Sequence, residues 1–111
     1  MNFGWLLRNG EVLATLEVAE TRQERVQGLL GREGIDGAIL LRPARSVHSV
    51  GMTFTIDVAF CTNNLVVLRT IRLRPGRMTR PSLRGGTIIE AESGSFDRWR
   101  LAVGDQLEIR E

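Results

Sequence analysis

The 111 residues contain no lysine and no tyrosine, and only one cysteine and one histidine. A lone cysteine, Cys61, has no partner for an internal disulfide, so nothing here asks for an oxidising compartment. A lone histidine excludes paired-histidine zinc spacings, and no C-x-x-C pair replaces them. No apolar run approaches the roughly 20 residues of a membrane-spanning helix, and no charged-then-apolar leader opens the chain. A cytoplasmic protein with no transmembrane segment and no cofactor is the expectation.

What is there is ordinary in bulk and uneven in detail. The chain is 42% apolar and 25% charged, values typical of globular domains. Its length suits one domain, 1–111, burying roughly two-thirds of its unfolded surface. All fifteen positive side chains are arginine, whose planar fork grips carboxylate or phosphate in two-pronged fashion. Between Asp57 and Glu90 there is no acid but six arginines: Arg69, Arg72, Arg74, Arg77, Arg80 and Arg84. That segment carries +6 within a net charge of +2. Its repulsion requires counter-charge, from acids such as Glu17, Glu90, Glu92 and Asp97 or from an anion outside; compensation by the chain's own acids is the expectation.

Turn and cap chemistry divides the chain. Asn9-Gly10 supplies the positive φ angles of a type I′ turn, so residues 5–8 and 11–14 form a hairpin, its second strand continuing through Leu16 and Val18. Thr21-Arg-Gln-Glu24 is a capping box. With Val26, Leu29 and Leu30 as a buried stripe, it predicts the main α-helix over about 21–30, ended by Gly31. Gly28 inside that helix implies close approach to a sheet. Ala38–Leu41 is a short apolar run, broken by Arg42-Pro43. Strands are predicted at 54–60, 65–73, 87–91 and 106–110, with a helical turn near 95–99. The turn at Thr62-Asn63-Asn64 uses asparagine's tolerance of φ > 0. Residues 74–86, with two prolines, three glycines and four arginines, form a long loop of the kind that is usually functional or mobile. The expected fold class is α+β, mostly antiparallel β, with a compact barrel-like or sandwich sheet.

The stretch from His48 to Cys61 holds most of the chain's distinctive chemistry. Phe54, Ile56, Val58 and Phe60 alternate with Thr55, Asp57, Ala59 and Cys61, the period of a half-buried strand. His48, Asp57 and Cys61 supply the side-chain types of a nucleophilic enzyme. Regular alternation, however, puts His48 on the opposite face from Asp57 and Cys61, and a buried free cysteine is most often a small hydrophobe. Met52 has the phase of a core residue. Asp57, between two β-branched residues, is read as a structural acid that receives loop amides or an arginine.

Taken together, Thr21-x-x-Glu-Arg-x-x-Gly-Leu-x-Gly-Arg32, His48-x-x-Gly-Met-x-Phe-x-Ile-Asp-Val-x-Phe60, Ile89-Glu90-Ala91 and Gly104-Asp105 resemble the DUF192 family of small prokaryotic proteins, in order, over about residues 11–110. The resemblance implies a compact β-rich domain with no established activity. The function expected is a non-catalytic binding or accessory domain. Its candidate surface is His48, Met52 and Asp57 together with Arg74, Arg77, Arg80 and Arg84. The competing readings are a small enzyme using His48, Asp57 or Cys61, and a binder of nucleic acid or another anionic surface through Arg69–Arg84. A protein partner is expected ahead of nucleic acid, because the arginines have no interleaved aromatics for base stacking.

Overall fold

Asn9 and Gly10 both take left-handed conformations, φ 53° and 77°. Strands β1 (Asn2–Arg8) and β2 (Glu11–Ala19) pair antiparallel across them, with Arg8 opposite Glu11. A computed structural model describes all of residues 1–111. After β2 come α1 (Arg22–Gln27), β3 (Ala38–Leu41), β4 (Ile56–Cys61), β5 (Val67–Leu73), β6 (Thr87–Glu92), α2 (Ser95–Trp99) and β7 (Glu108–Arg110). The seven strands form one sheet in the order β5-β4-β6-β3-β2-β1-β7.

The capping box is present. Thr21 Oγ1 accepts from the Glu24 amide at 3.1 Å, and Glu24 Oε1 accepts from the Thr21 amide at 3.1 Å. The helix is shorter than the expected 21–30, because Gly28 ends it at φ 45°, ψ −122°, its amide donating to Glu24 O. Gly28 is needed for that backbone turn and not for contact with the sheet. A Cβ placed there would meet nothing nearer than Arg25 O at 3.6 Å. With the helix stopped, the stripe breaks up: Leu29 is buried but Val26 is 65% exposed.

The chain between α1 and β3 returns beside β2 so that the two strands run parallel, Leu16 opposite Ala38 and Ala19 opposite Leu41. A parallel neighbour requires such a crossover, since a hairpin cannot make one. Every other named pairing in the sheet is antiparallel. The expected barrel-like or sandwich sheet is therefore corrected to a single mixed sheet that does not close. Its edges touch at one corner only, where Val66 pairs with Gln106. There Val67 donates to Asp105 O and Leu107 to Leu65 O, each at 2.9 Å. Strand β7 has three residues, too few to carry a ladder down the whole gap.

The curl creates two cores. On the inner face Leu6, Leu16, Leu40, Ala59, Cys61 and Ile89 pack with Phe96 of α2. On the outer face Ile39, Ile56, Val58, Phe60 and Ile88 pack with Leu29 and Met52. Strand β4 is consequently buried at all six positions. Its alternation separates two apolar interiors, where a core and a solvated face were expected. The turn before β5 also differs in detail, since the left-handed residue is Leu65, at φ 67°, and neither asparagine. Burial of the Leu65 side chain in the inner core offsets what that backbone conformation costs.

Strand β6 is buried from Thr87 to Ala91, and Thr87 Oγ1 has no hydrogen-bond partner. An unmet buried hydroxyl destabilises, and valine has nearly its shape. Thr87→Val is expected to raise stability by about 1 kcal/mol, seen as a higher urea midpoint with an unchanged slope. A lower midpoint would mean that the hydroxyl is satisfied after all.

Candidate functional site

Two irregular segments cover the outer face beyond β3 and β5. Residues 44–49 run against 76–86 like a frayed strand pair. Ala44 donates to Gly86 O at 2.9 Å, Thr79 to Val47 O at 2.9 Å and Ser49 to Arg77 O at 2.8 Å. Ser49, fully buried, completes the join. Its hydroxyl donates to Arg74 O and accepts from the Arg77 amide at 3.0 Å, while Gly76 donates to Ser49 O at 2.9 Å. The arginine-rich loop is thus fastened through its backbone, leaving its side chains outside.

Between this layer, α1 and the sheet lies a cavity of about 380 Å³. Leu29, Leu30, Val47 and Met52 make apolar wall, and Arg22, Arg25 and His48 stand around it from α1 and the 43–52 segment. Glu90 of β6 also lines it. Its strand neighbours are Ile39 and Val58, so its side chain leaves the sheet on the outer face. Glu90 is only 4% exposed, yet the hydrogen bonds and ion pairs of the protein include none to its carboxylate. Burial pushes its pKa from the usual 4.5 up to about 7, because a charge without a partner is poorly tolerated away from water.

The structure brings His48 and Met52 to this cavity and leaves the other candidate residues elsewhere. His48 is exposed; its Nδ1 accepts from the Val50 amide at 3.3 Å, which leaves Nε2–H as the donor of the neutral ring. Asp57 projects from the inner face and ties α2 to the sheet. Its Oδ2 accepts from the Gly94 and Phe96 amides, both at 3.0 Å, and Oδ1 accepts from Arg72 Nε at 3.4 Å. Cys61 shares that face, fully buried, and burial pushes its thiol up to about 12. His48, Asp57 and Cys61 therefore do not converge. Arg74, Arg77, Arg80 and Arg84 are all exposed and none has an acid partner, so the expected compensation by the chain's own acids does not extend to these four. Of the acids considered as counter-charges, Glu17 binds Arg32 through both oxygens at 2.7 and 2.8 Å, and Asp97 meets Arg72 at 3.6 Å. Glu90 is the residue that sequence reasoning passed over as a site. Its signal is the one that singled out Asp57: an acid set in a β-branched run, here Ile88-Ile89-Glu90-Ala91.

The protein class is now defined: a small strand-rich domain with one open mixed sheet, two short helices and a cavity between the sheet and the first helix. The chain belongs to the DUF192 family, whose model, described as an uncharacterized ACR, matches residues 5–109. It is 29% identical over 103 residues to a UPF0127 protein of Pyrococcus furiosus, covering 88% of this chain and 89% of that one. Two crystal structures share the fold. One is a protein of unknown function from Novosphingobium aromaticivorans, with TM-score 0.78 and 14% identity, covering 96% of this chain and 83% of that one. The other, from Sinorhizobium meliloti, is described as a candidate transcription regulator. It has TM-score 0.77 and 20% identity, covering 96% of this chain and 92% of that one. No helix is long and apolar enough to cross a membrane.

Glu90 makes a pH prediction with a definite sign. Its folded pKa, about 7, lies above the ordinary 4.5, so between those values the folded state binds more protons than the unfolded state. Stability then falls as pH rises through that window, and the whole penalty, about 3 kcal/mol, is present above it. Glu90→Gln is expected to be more stable than the parent at pH 8 and about equal to it at pH 4. Urea unfolding at the two pH values checks this; an equal difference at both would remove Glu90 as the titrating group.

Proposed function

We propose that this protein is a non-catalytic binding domain whose cavity beneath α1 takes a small organic molecule anchored on Glu90. One observation carries the reading. A carboxylate almost without solvent contact, and without any protein donor, faces a cavity of about 380 Å³. Buried acids are normally paired. A concave, mostly apolar pocket with a few polar groups and a perturbed acid is the usual form of a small-molecule site. His48 and Met52 belong to this site as wall residues.

Fragment screening by protein NMR tests the reading. Bound fragments should shift the amide signals of Leu41, Met52 and Glu90 together. They should lose about 10- to 100-fold in affinity in Glu90→Gln, the range for a hydrogen bond to a charged group. Fragments that gather elsewhere, or that bind the variant equally well, would overturn it.

The loop supports a second reading. Arg74, Arg77, Arg80 and Arg84 have no carboxylate partner within the chain, so their counter-charge has to come from outside. An acidic protein surface suits a protein of net charge +2 better than a nucleic acid does. Replacing Arg77, Arg80 and Arg84 with glutamine should leave the fold unchanged and abolish any salt-sensitive association with an acidic polypeptide such as polyglutamate. Association with DNA whose logarithmic salt slope grows by about one unit per phosphate engaged would reverse that preference.

A further inference from the structure

We infer that the molecule held in the cavity is bipolar: an amine at its inner end, bound to Glu90, and an anionic group at its outer end, bound between Arg22 and Arg25. The inference rests on the cavity being a binding site and adds the chemistry of what fills it.

The inner end is set by what surrounds Glu90. The neighbouring strand residues Ile39 and Val58 offer no donor, and Leu29, Leu41 and Met52 line the same cavity. A ligand bearing only acceptors meets either an ionised carboxylate, which repels it, or a protonated one, which offers a single hydrogen bond. An ammonium gains a charge-assisted hydrogen bond in a site poor in water, about twice as strong as a neutral one.

The outer end is set by two arginines on α1. Arg22 and Arg25 are three residues apart, hence neighbours on one helix face, and both line the cavity. Arg22 makes no hydrogen bond or ion pair, and the only partner of the Arg25 guanidinium is the carbonyl of Glu20. Two guanidinium forks side by side, neither held by a carboxylate, match the oxygens of a carboxylate or a phosphate. Leu30 and Val47 add aliphatic surface to the cavity lining, which suits a ligand whose body is hydrocarbon.

Proton linkage separates this ligand from its rivals. The charged or titratable groups facing Glu90 across the cavity are Arg22, Arg25 and His48; β3 and β4 contribute none. An ammonium needs the ionised carboxylate, so its binding releases the proton held by empty Glu90. Affinity should then fall about tenfold for each pH unit below the folded pKa. A ligand that accepts a hydrogen bond from protonated Glu90 would bind more tightly as pH falls.

Calorimetric titration with ω-amino acids of four to eight carbons tests this, with alkylamines and alkylcarboxylates of the same lengths as single-ended controls. At pH 8 one length of amino acid should bind at least tenfold more tightly than either control. At pH 5.5 that affinity should drop about 30-fold, and at pH 6 the heat should depend on the ionisation enthalpy of the buffer. Glu90→Gln, whose melting temperature reports its folding, should lose binding of both amines and amino acids. The double variant Arg22→Gln, Arg25→Gln should reduce the amino acid to the level of the alkylamine and leave the alkylamine unchanged. If carboxylates or uncharged fragments bind in the cavity more tightly than amines, or if binding strengthens at acidic pH, the bipolar ligand is wrong and the cavity reading survives. If neither amines, acids nor uncharged fragments bind there, both fail.

Discussion

Strand β6 runs between β3 and β4 near the middle of a sheet that is covered on both sides, and this double burial governs the rest of the molecule. Five consecutive residues, Thr87 to Ala91, are shut away from water, so every polar atom among them must find a partner in the fold or stay unmet. The backbone groups are met by two antiparallel ladders. The side chains are not: Thr87 and Glu90 point to opposite faces and neither has a partner. A fold selected for stability alone would place valine and leucine there. A carboxyl group at the centre of the sheet, lining the outer cavity, is the feature on which the proposed binding function rests.

Asp57 provides the contrast. It is about as buried as Glu90 and stands on a neighbouring strand, yet two amides and an arginine converge on it. The two amides come from the entry to α2 and the arginine from β5, so the carboxylate serves as the hook that holds a five-residue helix over the inner core. The two acids differ in what the chain supplies around them, not in depth. An acid provided with donors belongs to the architecture. An acid denied donors, beside open space, is the one on which the proposed binding site rests.

Local chemistry made much of this legible in the sequence. Asn9-Gly10, Thr21 with Glu24, and the period-two run into Cys61 act over a few residues, and each produced the element expected of it. What escaped depended on distant partners. Nothing near Ala38–Leu41 reveals that it lies parallel to β2. Gly28 is ambiguous in the sequence because glycine both breaks helices and permits close packing, and only its φ, 45°, decides which. Alternation in β4 was read as core against solvent because the pattern is the same when both faces are dry and one carries small residues such as Ala59 and Cys61. Glu90 carries the same local signal as Asp57, an acid in an apolar strand, and that signal does not tell a paired acid from an unpaired one. Its lack of any partner is a property of three dimensions.

The corner contact has a consequence for how the polypeptide is made. Residues 104–107 grip the chain leading into β5, and residues 108–110 pair with β1, more than a hundred positions back along the chain, where Arg110 lies opposite Trp5. One late stretch therefore fastens both free borders of the sheet. During synthesis the first hairpin and β3 leave the ribosome early, but the outer border of β1 stays open until residues 108–110 clear the exit tunnel. Such an unpaired strand invites pairing with other chains. Until then the nascent sheet stays adhesive along one side, and no earlier segment can supply the strand that closes it.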